Sequence, residues 1–219
     1  MIRLQEREVI AVQLPAARRM ARALAELPQL NGGSLMPAIR QHYHYLFALR
    51  PAFSTNAVSR HVEQHILPAL ALYRSLQDAG YASAEARTLV GDYLEIRARL
   101  DNQFVMTLLK RLPFAYAIFR RLLRYRMTHS FGEPGFSMDW IEDNQRCITF
   151  NITRCLYLSV LSAFDVPELT QAFCRTDHVR FGLMAPLVTF ERSGTLATGC
   201  TVCDFRFSRR NPAAKGPTG

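Results

Sequence analysis

Hydrophobic positions in the first part of the chain follow the spacing of amphipathic helices. Apolar side chains recur at steps of three and four residues from residue 56 to residue 79, which predicts a helix whose apolar face is formed by Val62, Ile66, Leu70 and Tyr73. Pro68 is expected to kink this helix, because proline lacks the N–H that the helix needs. Gly80 is expected to end it.

The same spacing predicts further helices on both sides of this one. They cover residues 6–28 with an interruption at Pro15, residues 84–112 after a capping Ser83, and residues 114–127 after Pro113. Residues 30–37, which include two glycines and a proline, are expected to form a loop. The first 134 residues therefore form a mostly helical region.

The hydrophobic period changes after the turn-forming residues 130–135. Ile148, Phe150 and Ile152 alternate with polar residues, as in a half-buried strand, and residues 136–153 are interpreted as two strands around a turn at 142–145. Helices are predicted over 155–164 and 172–185, followed by strands over 186–194 and 200–209. Hairpins at both ends of this order imply an antiparallel sheet with helices packed on one side, an α+β fold.

These patterns divide the chain into three parts within one integrated domain. The helical region covers residues 1–134, and an α+β core that carries the candidate site covers residues 135–207. The tail, residues 208–219, is expected to be disordered. A chain of 219 residues with 49% hydrophobic residues can bury a core of its own.

Composition narrows the cellular setting. No apolar run approaches the length of a membrane-spanning helix, and the charged start lacks the apolar segment of a signal peptide. Five cysteines are an odd number in a chain too long to depend on disulfides, so they are expected to be reduced thiols in a cytoplasmic protein. We also expect a homo-oligomer.

The net charge of +9 is concentrated in the helical region. Residues 1–134 hold 18 Lys/Arg and 10 Asp/Glu, and six of the basic residues lie between Lys110 and Arg126 without an acidic one. This pattern is typical of a solvated helical surface, and peripheral contact with an anionic membrane is the alternative. No nucleic-acid-binding motif accompanies the charge, so a nucleic-acid partner is not expected.

The C-x-x-C of residues 200–203 is the first candidate for chemistry. Side chains alternate along a strand, so Cys203, Phe205 and Phe207 face one side and Cys200, Asp204 and Arg206 face the other. Two cysteines three apart on a regular strand cannot share a metal or a disulfide unless Cys200 sits in a turn. Asp204 and Arg206 share a face, as either a surface ion pair or a grip for a substrate carboxylate.

A second candidate lies on the helix predicted over 172–185. Cys174, Asp177, His178 and Phe181 are spaced to share one face. A thiol beside a carboxyl and an imidazole suits acid–base or nucleophilic chemistry, and it also suits half of a zinc site. Buried core cysteines are the simpler interpretation.

Several of these residues together resemble a known family. Cys155 after a strand, the F-C-x-x-D of Cys174 and Asp177, the R-x-x-T-L-A-x-G that begins at Arg192, and the C-D-F-R-F of residues 203–207 resemble the L-2-amino-thiazoline-4-carboxylic acid hydrolase family over residues 146–207. Cys200 departs from the pattern. The closing motif also looks like the small-molecule-binding domains of the vinyl-reductase type.

The resemblance implies a hydrolase that opens a small cyclic amidine. It implies Asp177 as general acid or base, Cys174 as a candidate nucleophile, and Arg206 as the carboxylate anchor, oriented by Asp204, with Arg192 as the second candidate. Thr195 and His178 are expected to contact the substrate. Cys155 and Cys203 would line the pocket, or bind zinc or another thiophilic metal together with Cys174. No cofactor is predicted.

Two other functions remain open at this point. One is a non-catalytic, vinyl-reductase-like binding domain, and the other is a membrane-surface or interaction protein that uses the arginine-rich helix. A solvent-open pocket joining Cys174, Asp177 and Arg206 would favour the enzyme, and a closed apolar cavity would favour the binding domain.

Overall fold

The computed structural model describes residues 13–15, 17–30, 32–50 and 55–210. Its helices in these ranges are α1 (Ala17–Ala25), α2 (Gly32–Leu49), α3 (Asn56–His61), α4 (Leu67–Asp78), α5 (Ser83–Arg111), α6 (Ala115–His129), α7 (Leu156–Ala163) and α8 (Thr170–Gly182). Its strands are β1 (Ser137–Asp143), β2 (Cys147–Arg154), β3 (Val188–Glu191) and β4 (Cys203–Arg209). Residues 6–12 of the first predicted helix, and residues 211–219 of the predicted tail, lie outside the described ranges.

The helix predicted over residues 56–79 is confirmed, with a local change of period. A π-helical segment, Val62–Ile66, joins α3 to α4 immediately before Pro68. Proline removes one helical hydrogen bond and its ring crowds the preceding turn, and a widened turn relieves that crowding. Gly80 ends the unit with a positive φ of 92°.

The loop predicted over residues 30–37 is wrong. Helix α2 begins at Gly32 and contains Pro37. Its buried side chains, Leu35, Ile39, Tyr43 and Leu46, follow helical spacing, and the helix packs against α4. Burial of this face outweighs the weak helical preference of glycine and proline.

The four strands form one antiparallel sheet in the order β1-β2-β4-β3. The predicted alternation is confirmed, because Ile148, Phe150 and Ile152 are buried and the residues between them are not. Phe150 faces Phe205 across the β2–β4 pairing, and their rings stack at 5.1 Å between centroids. Strand β4 runs to Arg209, two residues into the predicted tail.

The helical region and the sheet share one hydrophobic core. A single cluster of buried side chains runs from Leu14 to Phe207. Phe119 of α6 meets Phe207 of β4 at 5.8 Å between ring centroids. The fold is α+β, as the sequence predicts, and α5 and α6 form one wall of the space beside the sheet. None of the described helices is long and apolar enough to cross a membrane.

Candidate active site

A cavity of about 390 Å³ lies between α5, α6, α8 and the buried face of the sheet. Val105 and Leu122 line it and are 56% and 48% exposed, so the cavity reaches the surface between α5 and α6. Its volume is in the range of small-molecule sites.

Five of the residues singled out by sequence line this cavity. Cys155 precedes α7, Cys174 and Asp177 lie on α8, Arg192 follows β3, and Cys203 begins β4. These residues line the same cavity although they lie up to 48 positions apart in the chain, the separation of Cys155 and Cys203. The strand and helix periods place Cys203, Cys174 and Asp177 on buried faces, and the fold brings those faces together.

Arg192 and Asp177 form the polar centre of the cavity. Nη1 of Arg192 donates to Oδ2 of Asp177 at 2.7 Å, and its Nη2 donates to the carbonyl oxygen of Cys174 at 2.9 Å. The Arg192 side chain is only 5% exposed. A guanidinium held by two charge-assisted or backbone hydrogen bonds fixes the direction of the carboxyl that it contacts.

Burial raises the pKa of the Asp177 carboxyl above its ordinary value. The charges of Arg180 and Arg192, with the Arg192 hydrogen bond, oppose this rise, and the effect of burial prevails. A carboxyl in this setting exchanges its proton closer to neutral pH than an exposed one, which suits a general acid or base.

The three thiols of the cavity are held in their neutral form. Burial raises the pKa of Cys155 to about 11 and that of Cys174 to about 12, and it also raises the pKa of Cys203. The first backbone N–H groups of α7 favour the Cys155 thiolate, and Asp177 disfavours the Cys174 thiolate. The backbone N–H of Leu196 donates to the Cys203 sulfur at 3.2 Å.

Other predicted site residues lie outside the cavity lining. Arg206 is exposed and faces away from the helices, with Glu191 Oε2 at 3.8 Å from its Nε. His178 is exposed and contacts the ring of Phe190 at 5.1 Å between centroids. Cys200 is an exposed free thiol before the start of β4, and Cys203 is buried.

Asp204 does not orient Arg206. Its carboxylate accepts hydrogen bonds from the backbone N–H groups of Ser193 and Gly194 and from the Ser193 hydroxyl, at 2.6–3.0 Å. These bonds lower the pKa of Asp204. They tie β4 to the loop that follows Arg192, so Asp204 helps to hold the arginine of the cavity in place.

The R-x-x-T-L-A-x-G motif builds the same loop. Thr195 and Thr198 exchange side-chain and backbone hydrogen bonds at the ends of a short 3₁₀ turn, as a capping box. Gly199 follows with a φ of 86°, a left-handed conformation that favours glycine. The buried Thr195 thus has a structural partner in Thr198, and the motif serves to present Arg192.

Two functional candidates in the cavity were missed by sequence reasoning. Arg180 and Thr170 both line it, and Nε of Arg180 and the hydroxyl of Thr170 are buried without a hydrogen-bond partner among the described residues. Arg180 lies three residues after Asp177, so helical spacing could have identified it. Thr170, only 1% exposed, opens α8 and carried no signal.

Arg126 of α6 completes a cationic pair in the cavity. Neither Arg126 nor Arg180 forms an ion pair with a carboxylate in the described part of the chain, and burial and the charge of Arg180 lower the pKa of Arg126. Arg126 is exposed at the edge of the cavity and Arg180 is half-buried. The two guanidiniums repel each other, and an anionic ligand between them would relieve that repulsion.

The described residues include no group of three or more His, Cys, Asp or Glu side chains arranged to hold a metal ion. The thiols of Cys155, Cys174 and Cys203 share the cavity as separate lining groups. Their high pKa values also oppose the thiolate form that ligates a metal.

Comparison with known proteins agrees with the site motifs. The family model described as L-2-amino-thiazoline-4-carboxylic acid hydrolase matches residues 59–207, a range that includes every described residue lining the cavity. No protein with a curated description matches the chain. The chain belongs to the L-2-amino-thiazoline-4-carboxylic acid hydrolase family.

Proposed function

We propose that this member of the L-2-amino-thiazoline-4-carboxylic acid hydrolase family opens a cyclic amidine carboxylate inside the cavity. The observation that carries the proposal is one surface-accessible space that holds the half-buried carboxyl of Asp177 beside Arg126 and Arg180, two guanidiniums without a carboxylate partner among the described residues. A proton carrier next to an anion anchor is the arrangement that hydrolysis of such an acid needs.

Arg180 and Arg126 take the role of carboxylate anchor. Both line the cavity and lack a carboxylate partner among the described residues, whereas Arg206 lies on the other face of the sheet. A guanidinium binds a carboxylate through paired N–H donors, and its strength increases where water is excluded. Arg192 is committed to Asp177 and to the Cys174 carbonyl, so it acts as a positioning residue.

Asp177 moves the protons of the reaction. Water adds through its oxygen to the amidine carbon, the carbon–sulfur bond breaks, and the water oxygen becomes the carbonyl oxygen of the product. One water proton goes to the ring nitrogen and the other goes to the departing sulfur, which leaves as a thiol. The ionised Asp177 accepts a proton from the attacking water and delivers it to the ring nitrogen. It then accepts the remaining hydroxyl proton and delivers it to the sulfur as the carbon–sulfur bond breaks.

Attack by a cysteine is the second candidate route, and Cys174 is its nucleophile because it lies one helical turn from Asp177. A thiol with a pKa of about 12 is ionised in only about one molecule in a hundred thousand at pH 7. The water route needs no thiolate, so we favour Asp177 over Cys174 as the reacting group.

Turnover assays test the proposal. The substrates are 2-amino-thiazoline-4-carboxylate and derivatives that carry an added alkyl or aryl group, and the ring-opened product is measured by mass spectrometry. The wild-type chain is expected to open at least one of them, and Asp177→Asn is expected to lose about 100-fold or more in kcat/KM. Asp139→Asn, an exposed residue of β1, is the matched control and should keep its activity.

Near-normal turnover by a folded Asp177→Asn variant would contradict the role of Asp177. Absence of turnover on every substrate, together with specific binding of one of them, would identify the chain as a binding domain. The apolar lining of the cavity makes this alternative worth measuring in the same experiment.

A further inference from the structure

The walls of the cavity differ in polarity. On α8 it is lined by Thr170, Cys174, Thr176, Asp177 and Arg180 beside two phenylalanines. On α6 it is lined by Phe119, Leu122, Leu123, Met127 and the single cation Arg126. The segment between α6 and β1 adds the rings of Phe131 and Phe136, and β4 adds that of Phe205.

This apolar surface is larger than a ring with only an amino group and a carboxylate can cover. Apolar surface that remains wet or empty contributes nothing to binding, whereas covering it with an apolar group removes it from water and strengthens binding. A cavity of about 390 Å³ leaves room for an apolar group beyond the reacting ring.

One buried polar atom points to the other end of the ligand. Nε of Arg180 lacks a partner among the described residues, although buried polar groups are nearly always hydrogen-bonded. A bound anion with several acceptor oxygens would satisfy this donor. Thr170, whose hydroxyl also lacks a partner there, begins α8 about 15 Å away along the helix axis and would meet a different part of the ligand.

We infer that the ligand of this cavity is an amphipathic carboxylate, with its anionic end at Arg180 and Arg126 and an alkyl or aryl body against α6 and the phenylalanine rings. This inference rests on the proposed function for its identification of the site, and it extends that function to the class of substrate. The selectivity of the cavity then depends on both ends of the ligand, because a short acid leaves the apolar wall uncovered and a neutral chain leaves the guanidiniums unpaired.

Binding of simple probes tests the inference without turnover. Titration calorimetry on the full chain compares decanoate with decanol and with acetate. Decanoate is expected to bind about tenfold or more tightly than either of the others. Arg180→Gln should weaken decanoate binding by about tenfold or more and leave decanol unaffected. Arg206→Gln, on the opposite face of the sheet, is the matched control and should bind decanoate as the wild type does.

The outcomes separate this inference from the hydrolase proposal. Turnover of the unsubstituted thiazoline without decanoate binding would overturn the amphipathic ligand and leave the hydrolase intact. Decanoate binding that depends on Arg180, without turnover of any cyclic amidine, would support the ligand class and reject the hydrolase. Equal affinity for decanoate and decanol would contradict the proposal that the ligand has an anionic end.

A separate observation concerns the outside of α5 and α6. Of the ten large hydrophobic side chains that are exposed in the described residues, seven lie on this helical hairpin. We refer to Phe104, Val105, Leu108, Leu112, Phe114, Leu122 and Tyr125 as the hairpin surface. Exposed apolar groups on this scale mark an interaction site.

In the part of the hairpin that carries this surface, the charged residues have one sign. Residues 102–132 contain six Lys/Arg and no Asp/Glu. Arg120 and Arg124 contact Asp143, while Lys110, Arg111 and Arg121 are exposed and have no carboxylate partner in the described part of the chain. The surface therefore complements an anionic partner.

Phe114 marks the tip of the hairpin. It is 83% exposed and is held at a φ of 58°, in the left-handed region that a bulky residue rarely adopts. This conformation directs a large apolar side chain away from the protein at the turn between the two helices. A strained, exposed aromatic residue next to cations suits insertion into the interface of a bilayer.

We propose that the hairpin surface docks on an anionic lipid bilayer. A second copy of the chain is the less suitable partner, because a symmetric contact would bring Lys110, Arg111 and Arg121 of both copies together. Val105 and Leu122 belong to both the hairpin surface and the cavity lining, so the docked face would also be the entrance for an amphipathic ligand.

Vesicle sedimentation tests the docking. The full chain should bind phosphatidylcholine vesicles that contain phosphatidylglycerol, and should bind pure phosphatidylcholine vesicles much more weakly. High salt should release it, because screening weakens the attraction. Phe114→Gly should weaken binding several-fold and keep the fold, since glycine accepts the positive φ. Tyr45→Ser, an exposed aromatic residue on α2, is the matched control and should bind normally.

Equal binding to neutral vesicles, or no binding to anionic ones, would overturn the proposal. A dimer in analytical ultracentrifugation that dissociates in the Phe114→Gly variant would assign the surface to a second copy instead. If Phe114→Gly binds anionic vesicles as well as the wild type does, Phe114 is not part of the docking surface and does not insert into the bilayer.

Discussion

Arg192 positions Asp177 through a 2.7 Å hydrogen bond while its other terminal nitrogen is tied to the backbone of α8 at Cys174. The arginine thus joins the end of β3 to the helix that carries the candidate proton carrier. Its side chain is almost fully buried, so this contact operates where water screens it little.

Replacing Arg192 should change the pH dependence of turnover. The arginine opposes the burial that raises the pKa of Asp177, so Arg192→Gln should move the acidic limb of the kcat/KM profile to higher pH and lower kcat. Arg192→Lys keeps the charge and loses the double hydrogen bond. Its acidic limb should therefore lie at a pH between those of the wild type and Arg192→Gln. A uniform loss of activity without a shift of the limb would indicate a structural role alone.

Acid should destabilise the fold through the half-buried His65. Burial and the charge of Arg97 lower the pKa of His65 to about 3, below its ordinary value of 6.5. Between those two pH values the unfolded chain binds a proton that the folded chain excludes. The contribution of His65 to the free energy of unfolding therefore decreases as pH falls from 6.5 towards 3. The decrease is on the order of 2 kcal/mol by pH 5.

Urea unfolding of wild type and His65→Gln across this pH range isolates the effect. The difference in free energy of unfolding between the two proteins should grow as pH decreases. Asp177 has a raised pKa, which favours the folded state at low pH in both proteins, so its contribution cancels in this difference. Parallel profiles would show that His65 does not exclude a proton in the folded state.

Cys200 should be the fast-reacting thiol among the described cysteines. It is exposed, whereas Cys174 and Cys155 are only partly exposed and have pKa values raised to about 12 and 11. Labelling with iodoacetamide, followed by peptide mass spectrometry, should modify Cys200 first, and Cys200→Ser should remove the fast phase. Equal early labelling of Cys174 would contradict its neutral state.

The stacked rings beneath the cavity should contribute strongly to stability. Phe150 is fully buried and stacks on Phe205. Phe150→Ala should lower the free energy of unfolding by about 3–5 kcal/mol, as other large-to-small changes in cores do. Ile141→Ala on β1, an exposed position, is the control and should change it by about 0.5 kcal/mol or less. Similar losses for both variants would contradict the placement of Phe150 in the core.

The spacing of hydrophobic and polar residues along the sequence determined much of the local structure. It predicted the strands around residues 142–145, the long helix that ends before Pro113, and the shared faces of Cys174 with Asp177 and of Asp204 with Arg206. These features follow from backbone geometry within a few residues, which alternation and helical spacing report directly. The motifs also identified the family.

Only the tertiary structure decided which faces meet. Alternation placed Arg206 and Cys203 on opposite sides of β4. The packing of α5, α6 and α8 against the side that carries Cys203 encloses the cavity there. The pairing of Arg192 with Asp177, and of Arg126 with Arg180, joins segments 15 and 54 residues apart. Charges at such separations meet because long-range burial of apolar faces brings their elements together, and no local pattern encodes that encounter.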